Sequence, residues 1–176
     1  QAVIQSVPPA PTADTAAERR TRREAEVRRR AQSMPRFADH PARETFTGTP
    51  APVDLASAEG ARQIGTVLRE AARKGPNFAG RYTFVQWGCG TSCQSFAIID
   101  ARTGRVTFGG RPLSVGAGYR LDSELLVADP PDAWLEAYGA DATDAVGSLA
   151  RSVYYRWDGR RLVPLDSLPI GRDAGW

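Results

Sequence analysis

A chain of 176 residues, 41 % hydrophobic and 24 % charged, has the length of one domain with appendages, since domains commonly run to about 100–150 residues. No apolar run approaches the roughly 20 residues a membrane-crossing helix needs, which excludes a helical span. The net charge is +3, but residues 18–30, ERRTRREAEVRRR, hold seven Arg and three Glu and carry +4, leaving −1 for everything else. The basic character therefore belongs to one segment and not to the whole surface.

The chain starts at Gln1 without a Met, as a processed chain does, and the expectation is removal of a secretory signal peptide and a periplasmic or extracytoplasmic location. Residues 1–14, QAVIQSVPPAPTAD, are rich in Pro and Ala and predict extended or polyproline-like backbone. The basic stretch that follows has helix-forming composition, and Glu18–Arg22, Glu24–Arg28 and Glu26–Arg30 are pairs four residues apart in the favourable order. Val27 is its one large apolar residue. A helix polar all round is solvated, disordered or held by a partner. Arg19, Arg20, Arg22, Arg23, Arg28, Arg29 and Arg30 are accordingly candidate partner-binding residues, for an acidic protein surface or anionic lipid headgroups. Nucleic acid is set aside because of the expected export. Residues 34–54, with four prolines and no period, predict an irregular connector. The organisation expected is an N-terminal arm over 1–53 and a compact domain over 54–176.

Residues 57–74, SAEGARQIGTVLREAARK, give the clearest helix. Ala61, Ile64, Val67, Leu68 and Ala71 follow one-sided helical spacing. Asp54 or Ser57 is the expected cap, and Gly75–Pro76 the stop. Strand signals begin at Gly80. RYTFVQW (81–87), SFAIID (95–100) and RVTFG (105–109) are rich in β-branched and aromatic residues, with DARTGR (100–105) as a tight connection. GGRPLSVGAG (109–118) reads as a loop, since it lacks phosphate-loop spacing. ELLVAD (124–129) is a fourth strand stopped by Pro130 and Pro131, and 132–149 an excursion from the sheet. SVYYRW (152–157), the Asp158–Gly159 turn and RRLVPL (160–165) form the strongest hairpin. The predicted fold is α+β: an antiparallel meander of five or six strands with one main helix packed on it, preceded by the extended and helical arm.

The only cysteines, Cys89 and Cys93, lie in QWGCGTSCQ (86–94). A zinc site needs about four ligands, and only His40 could join them. Haem attachment and thiol–disulfide exchange both call for Cys-x-x-Cys, which is absent. A nucleophilic cysteine would have only His40 as base. The favoured reading is a Cys89–Cys93 disulfide across a hairpin tip, with Gly88 and Gly90 allowing a small ring in an oxidising compartment. Asp100, Asp122, Asp129, Asp132, Asp141 and Asp144 fall at strand ends and turns, where Asp serves local hydrogen bonding. No cofactor, metal or catalytic constellation is expected. Of the aromatics Tyr82, Phe84, Phe96, Phe108, Tyr154 and Trp157, half are expected to supply sheet core, and the remainder, with Trp87 and Trp176, are candidate contact residues.

Residues 75–106, GPNFAGRYTFVQWGCGTSCQSFAIIDARTGRV, and GYRLDSELLV (118–127) resemble a pattern in small exported bacterial proteins of unknown function. The resemblance implies a secreted or periplasmic α+β module with a cysteine hairpin, and no activity. The function expected first is a non-enzymatic accessory subunit outside the cytoplasm, in a larger and membrane-bound complex of respiratory or photosynthetic type, with the arm strapping a protein partner. The alternatives are a free periplasmic binding or inhibitor module presenting the Cys89–Cys93 tip, and an enzyme using Cys89.

Overall fold

The computed structural model describes residues 14–140 and 150–171. The elements are α1 (Ala16–Ala31), α2 (Gly65–Arg73), β1 (Tyr82–Gly90), β2 (Cys93–Asp100), β3 (Val106–Phe108), β4 (Ala117–Tyr119), β5 (Leu125–Ala128), α3 (Pro131–Tyr138), β6 (Arg151–Trp157) and β7 (Leu162–Pro169), with a 3₁₀ turn at Phe37–Asp39. The fold is α+β. In place of one meander of five or six strands there are two antiparallel sheets, ordered β1-β2-β3 and β4-β5-β6-β7.

The split follows from the 109–116 segment, which does not extend β3. Leu113 exchanges backbone hydrogen bonds with Gln94 of β2, each 2.8 Å, and the chain then enters β4 in the other sheet. The sheets meet through a shared core in which Phe84, Phe96 and Ile98 pack with Leu126, Val153 and Trp157. The ring of Tyr82 meets that of Trp157 edge-on, centroids 5.3 Å apart. A second core joins Val27 of α1 to Leu125, Trp134, Tyr154 and Leu168. A third seats Leu68 and Ala72 of α2 on Val85, Ala97 and Ile99.

The main helix is half the expected length, nine residues instead of eighteen. Gly60 takes a positive φ of 84°, and the Ala61, Gln63 and Gly65 amides bond three residues back, so 58–64 stays in tight turns. Ser57 does not cap a helix. Its hydroxyl donates to the Asp54 carbonyl and accepts from Val106 N–H at 2.9 Å, which fixes the turn region to β3. The Gly75 stop is present, at φ 85°.

The described part of the segment expected as an arm, residues 14–53, packs and hydrogen-bonds against the rest of the described chain, and residues 1–13 lie outside the described residues. Val27 is fully buried, and Arg28 of α1 reaches Asp132 of α3 at 3.4 Å. The buried Ser123 hydroxyl bonds with the Phe37 and His40 carbonyls, 2.9 and 2.8 Å, and accepts from Leu125 N–H at 3.1 Å. Ala42 N–H donates to the Asp122 carbonyl, Phe46 N–H to that of Gly80 and Ala51 N–H to that of Ala101. Glycine makes room for this strap. A Cβ on Gly80 would stand 1.6 Å from the Glu44 carbonyl oxygen, and one on Gly104 1.9 Å from that of Pro52. Glu44 is clamped by Arg81 and by Arg102, at 2.6 Å for Arg102, and Arg81 also holds Asp100 at 3.1 Å.

Ser123→Ala removes a fully buried hydroxyl that stands between two carbonyls and one amide, and should lower stability by about 2–3 kcal/mol in urea unfolding. Gly80→Ala forces the strap off its seat and should cost about 3 kcal/mol. Gly75→Ala has the same sign of φ with open space around it and should cost only about 1–2 kcal/mol. Equal losses for the two glycine variants would show that the strap's close approach contributes nothing.

Candidate functional site

The expected site residues occupy three separate places. Cys89 and Cys93 form a disulfide with α-carbons 5.1 Å apart, inside the range of about 4.4–6.8 Å that such bonds span. They close the tip between β1 and β2, where the register shifts between Gly88 and Gly90. Both sulfurs are in the bond, so neither is a thiolate nucleophile. The Tyr138 hydroxyl of α3 donates to Ser92 Oγ at 2.7 Å, bracing the tip. Trp87 lies half-buried with its ring edge-on to Phe108, centroids 6.0 Å apart. It belongs to the sheet's packing more than to an open contact patch. Trp176 lies outside the described residues, as do Asp141 and Asp144.

The arginines line α1. Arg20 pairs with Glu24 at 2.9 Å, Arg29 with Glu26 at 2.6 Å, Arg22 with Asp14 at 2.5 Å, and Arg28 with Glu24 at 3.7 Å. Of the expected pairs four residues apart, Glu24–Arg28 forms. Glu18 instead closes a capping box with Thr15, accepting its N–H at 2.7 Å, and this bond holds the Glu18 carboxyl below the usual range. Arg19, Arg22 and Arg29 stand outward, while Arg23 and Arg30 are half-buried on the same helix.

A concave feature that brings aromatic side chains of both sheets together was not visible in the motifs. It is a cleft of about 270 Å³ between the sheets, walled by Phe96 and Ile98 of β2, Phe108 of β3, Tyr155 and Trp157 of β6 and Leu162 of β7. Arg111 and Arg161 also line it. Their side chains are 44 % and 81 % exposed, against 3 % for Trp157, so the arginines mark the mouth and the tryptophan the depth. The Trp157 Nε1–H is buried and has no acceptor among the described residues. Apolar walls with a few polar groups at one end are the ordinary character of a small-molecule site.

The cleft wall at 110–116 is held by one buried side chain. Asp129, 1 % exposed and at a positive φ of 53°, accepts from Ser114 N–H at 2.7 Å and Val115 N–H at 2.8 Å through Oδ1. Its other oxygen stands 3.5 Å from Arg111. Its own N–H donates to the Gly116 carbonyl, and its carbonyl accepts from Ser152 Oγ at 2.5 Å. The loop is thus tied to β5 on one side and, through Leu113 and Gln94, to β2 on the other. Gly109 permits the turn into it, since a Cβ there would meet the Phe96 ring at 2.2 Å. At the opposite rim Asp158 Oδ1 accepts from the Arg160 and Arg161 amides, 2.8 Å each, and these amide bonds keep its carboxyl below the ordinary range.

Sequence reading assigned Asp129 to a turn and 109–118 to a free loop. The signal for the cleft was the pairing of an Asp at the end of ELLVAD with a Gly-flanked segment carrying one arginine and one leucine, and it needs the register of two sheets to be seen. No cluster of His, Cys, Asp and Glu suited to a metal ion occurs among the described residues. No described helix is long and apolar enough to cross a membrane. No protein-family model, curated protein or solved structure matches the chain.

Two outcomes test this site. Asp129→Ala leaves the Ser114 and Val115 amides without their acceptor and should cost about 2–4 kcal/mol, with much faster hydrogen exchange at those two amides while β1 stays protected. Tyr154, buried under α3 and near Asp132 and Asp166, has its hydroxyl pushed up to about 12, first by burial and then by those carboxylates. The folded chain keeps this proton after the unfolded chain has lost it near pH 10. The contribution is therefore whole below about pH 10 and lost as pH rises toward 12. Urea midpoints at pH 9 and 11 should fall less for Tyr154→Phe than for the parent chain.

Proposed function

We propose that this chain is a non-enzymatic binding module that works outside the cytoplasm and holds a small, mainly apolar ligand in the cleft between its sheets. The observation that carries the reading is the cleft itself: a cavity of about 270 Å³ whose wall at 110–116 is anchored by Asp129 and Leu113. A wall fixed before binding spares the ligand the cost of ordering a loop. The Cys89–Cys93 bond supports an oxidising compartment, in line with the resemblance to exported bacterial proteins. With both sulfurs bonded, the alternative of a Cys89 enzyme has little support.

A role as accessory subunit of a larger assembly is the second reading. What favours it is the outward face of α1, where the Arg22 and Arg29 side chains are 71 % and 72 % exposed and suit an acidic protein or anionic lipid surface. The strap does not favour it, because residues 37–54 hydrogen-bond to their own domain.

Indole is a suitable apolar probe. Titrated into the oxidised, ¹⁵N-labelled chain, it should move the amide resonances of Phe108, Leu113, Tyr155 and Leu162, and Thr107→Phe should abolish those shifts by narrowing the cleft. Shifts confined to α1 or the hairpin tip, or no shifts at all, would overturn the assignment.

A further inference from the structure

We infer that the ligand of this cleft is a small carboxylate with an aromatic or branched apolar body, a deduction that rests on the cleft being the binding site. Size comes first. A volume of about 270 Å³ suits a molecule of about ten non-hydrogen atoms, taking a liquid water's share as ~30 Å³. That excludes long-chain lipids and peptides from full enclosure. Shape and surface come next: the deep walls are aromatic and aliphatic, so the body that enters must be apolar.

The charge at the mouth then chooses the head group. Arg111 and Arg161 line the cleft, and Arg105 and Arg160 line its extension past Thr107 and Trp157. Three carboxylates face these four arginines, and each is already engaged. Asp100 is held by Arg81 at 3.1 Å. Asp129 accepts two backbone amides, and so does Asp158. Their contacts to Arg111 and Arg161 are long, 3.5 Å in both cases. A guanidinium offers five N–H donors, so both arginines keep donors for a ligand. A planar, two-oxygen anion is the partner that a guanidinium fork recognises best.

The buried Trp157 Nε1–H, without an acceptor among the described residues, is a second unmet donor in the same wall. A carboxylate without an apolar body would bind at the mouth alone and gain nothing from the interior. A neutral apolar molecule would fill the interior and leave the arginines in water. The combination accounts for both ends of the cleft.

The test compares phenylacetate with its neutral isostere phenylacetamide, using the full oxidised chain, amide shifts and calorimetry at pH 7. Phenylacetate should bind about tenfold more tightly than the amide, as expected for charge-assisted hydrogen bonds. Arg111→Gln and Arg161→Gln should each reduce that preference, and the double variant should erase it, bringing the two probes to equal affinity. Arg161, at the exposed rim, can be replaced without disturbing the core, and Arg111→Lys, which keeps charge but loses the fork, should fall between parent and Gln. Equal binding of the two probes at the cleft would overturn the carboxylate inference and leave the cleft reading standing. Binding of neither probe, with Thr107→Phe indistinguishable from the parent chain, would overturn both.

Discussion

The position of the two sheets relative to each other is the constraint on which the rest of the protein depends. They share no strand, so no ladder of hydrogen bonds fixes their separation. Two things do. One is the joint core around Phe84, Phe96, Leu126 and Trp157. The other is a polar seam: Ala79 N–H donates to the Arg120 carbonyl and Gly80 N–H to that of Leu121, at 3.2 and 2.6 Å. The strap at 37–54 runs over this seam and touches both halves, bonding to Ser123 on one side and to Gly80, Ala101 and Gly104 on the other. The seam explains the NFAGRY sequence. Asn77 places its amide against Phe84, accepting N–H at 2.7 Å and donating to its carbonyl at 3.0 Å, so it acts as an extra rung at the start of β1. Ala79 and Gly80 both take positive φ, 44° and 77°, to turn the backbone toward the other sheet. Arg81 then neutralises Glu44 of the strap and Asp100 of β2. Asn77, Ala79, Gly80 and Arg81 thus join the first strand to the second sheet and to the strap.

A strap seated in this way needs close approach as well as hydrogen bonds. Gly80 and Gly104 leave no space for a methyl group beneath the strap backbone, and the carbonyls of Glu44 and Pro52 lie directly over them. Close packing of this kind leaves little slack, so a side chain added at either glycine must displace the strap backbone above it. Proline suits the strap: Pro41, Pro50 and Pro52 have no N–H to satisfy, while the N–H groups of Ala42, Phe46, Ala51 and Asp54 bond to the domain beneath.

How much of this was legible in the sequence divides along local and non-local lines. Six strands fall where alternation and β-branched residues placed them, and the Asp158–Gly159 turn joins β6 to β7 as its chemistry requires. The disulfide followed from spacing. β4 was missed because Ala117–Tyr119 is three residues long with a glycine at its centre, a strand made by its neighbour and not by propensity. α3 was missed because Pro130–Pro131 was read only as a strand stop. Pro131 is the first helical residue, a position where its missing N–H costs nothing, and Trp134 and Leu135 then fall one turn in and face the core. Val27 is the one large apolar residue on a polar helix, yet it enters the cluster of Trp134 and Leu168, with Ala31 and Met34 packed beside it. One residue carries no periodic signal, so no reading of pattern alone could have found that contact.

The cleft is the least legible feature and follows from all the others. Sheets that closed fully on each other would leave no space beside Trp157. Gly109, forced by the Phe96 ring, turns the chain away from β3 after Phe108, and Asp129 holds the departing loop against β5 instead of letting it fill the gap. The wall beside the void is thus held by a buried carboxylate that supplies the acceptor for two backbone amides, a task no apolar side chain could take over. Asp129 meets this demand at 1 % exposure and a positive φ of 53°, a conformation that Asp adopts more readily than most residues, so the wall is set by one side chain at the end of β5.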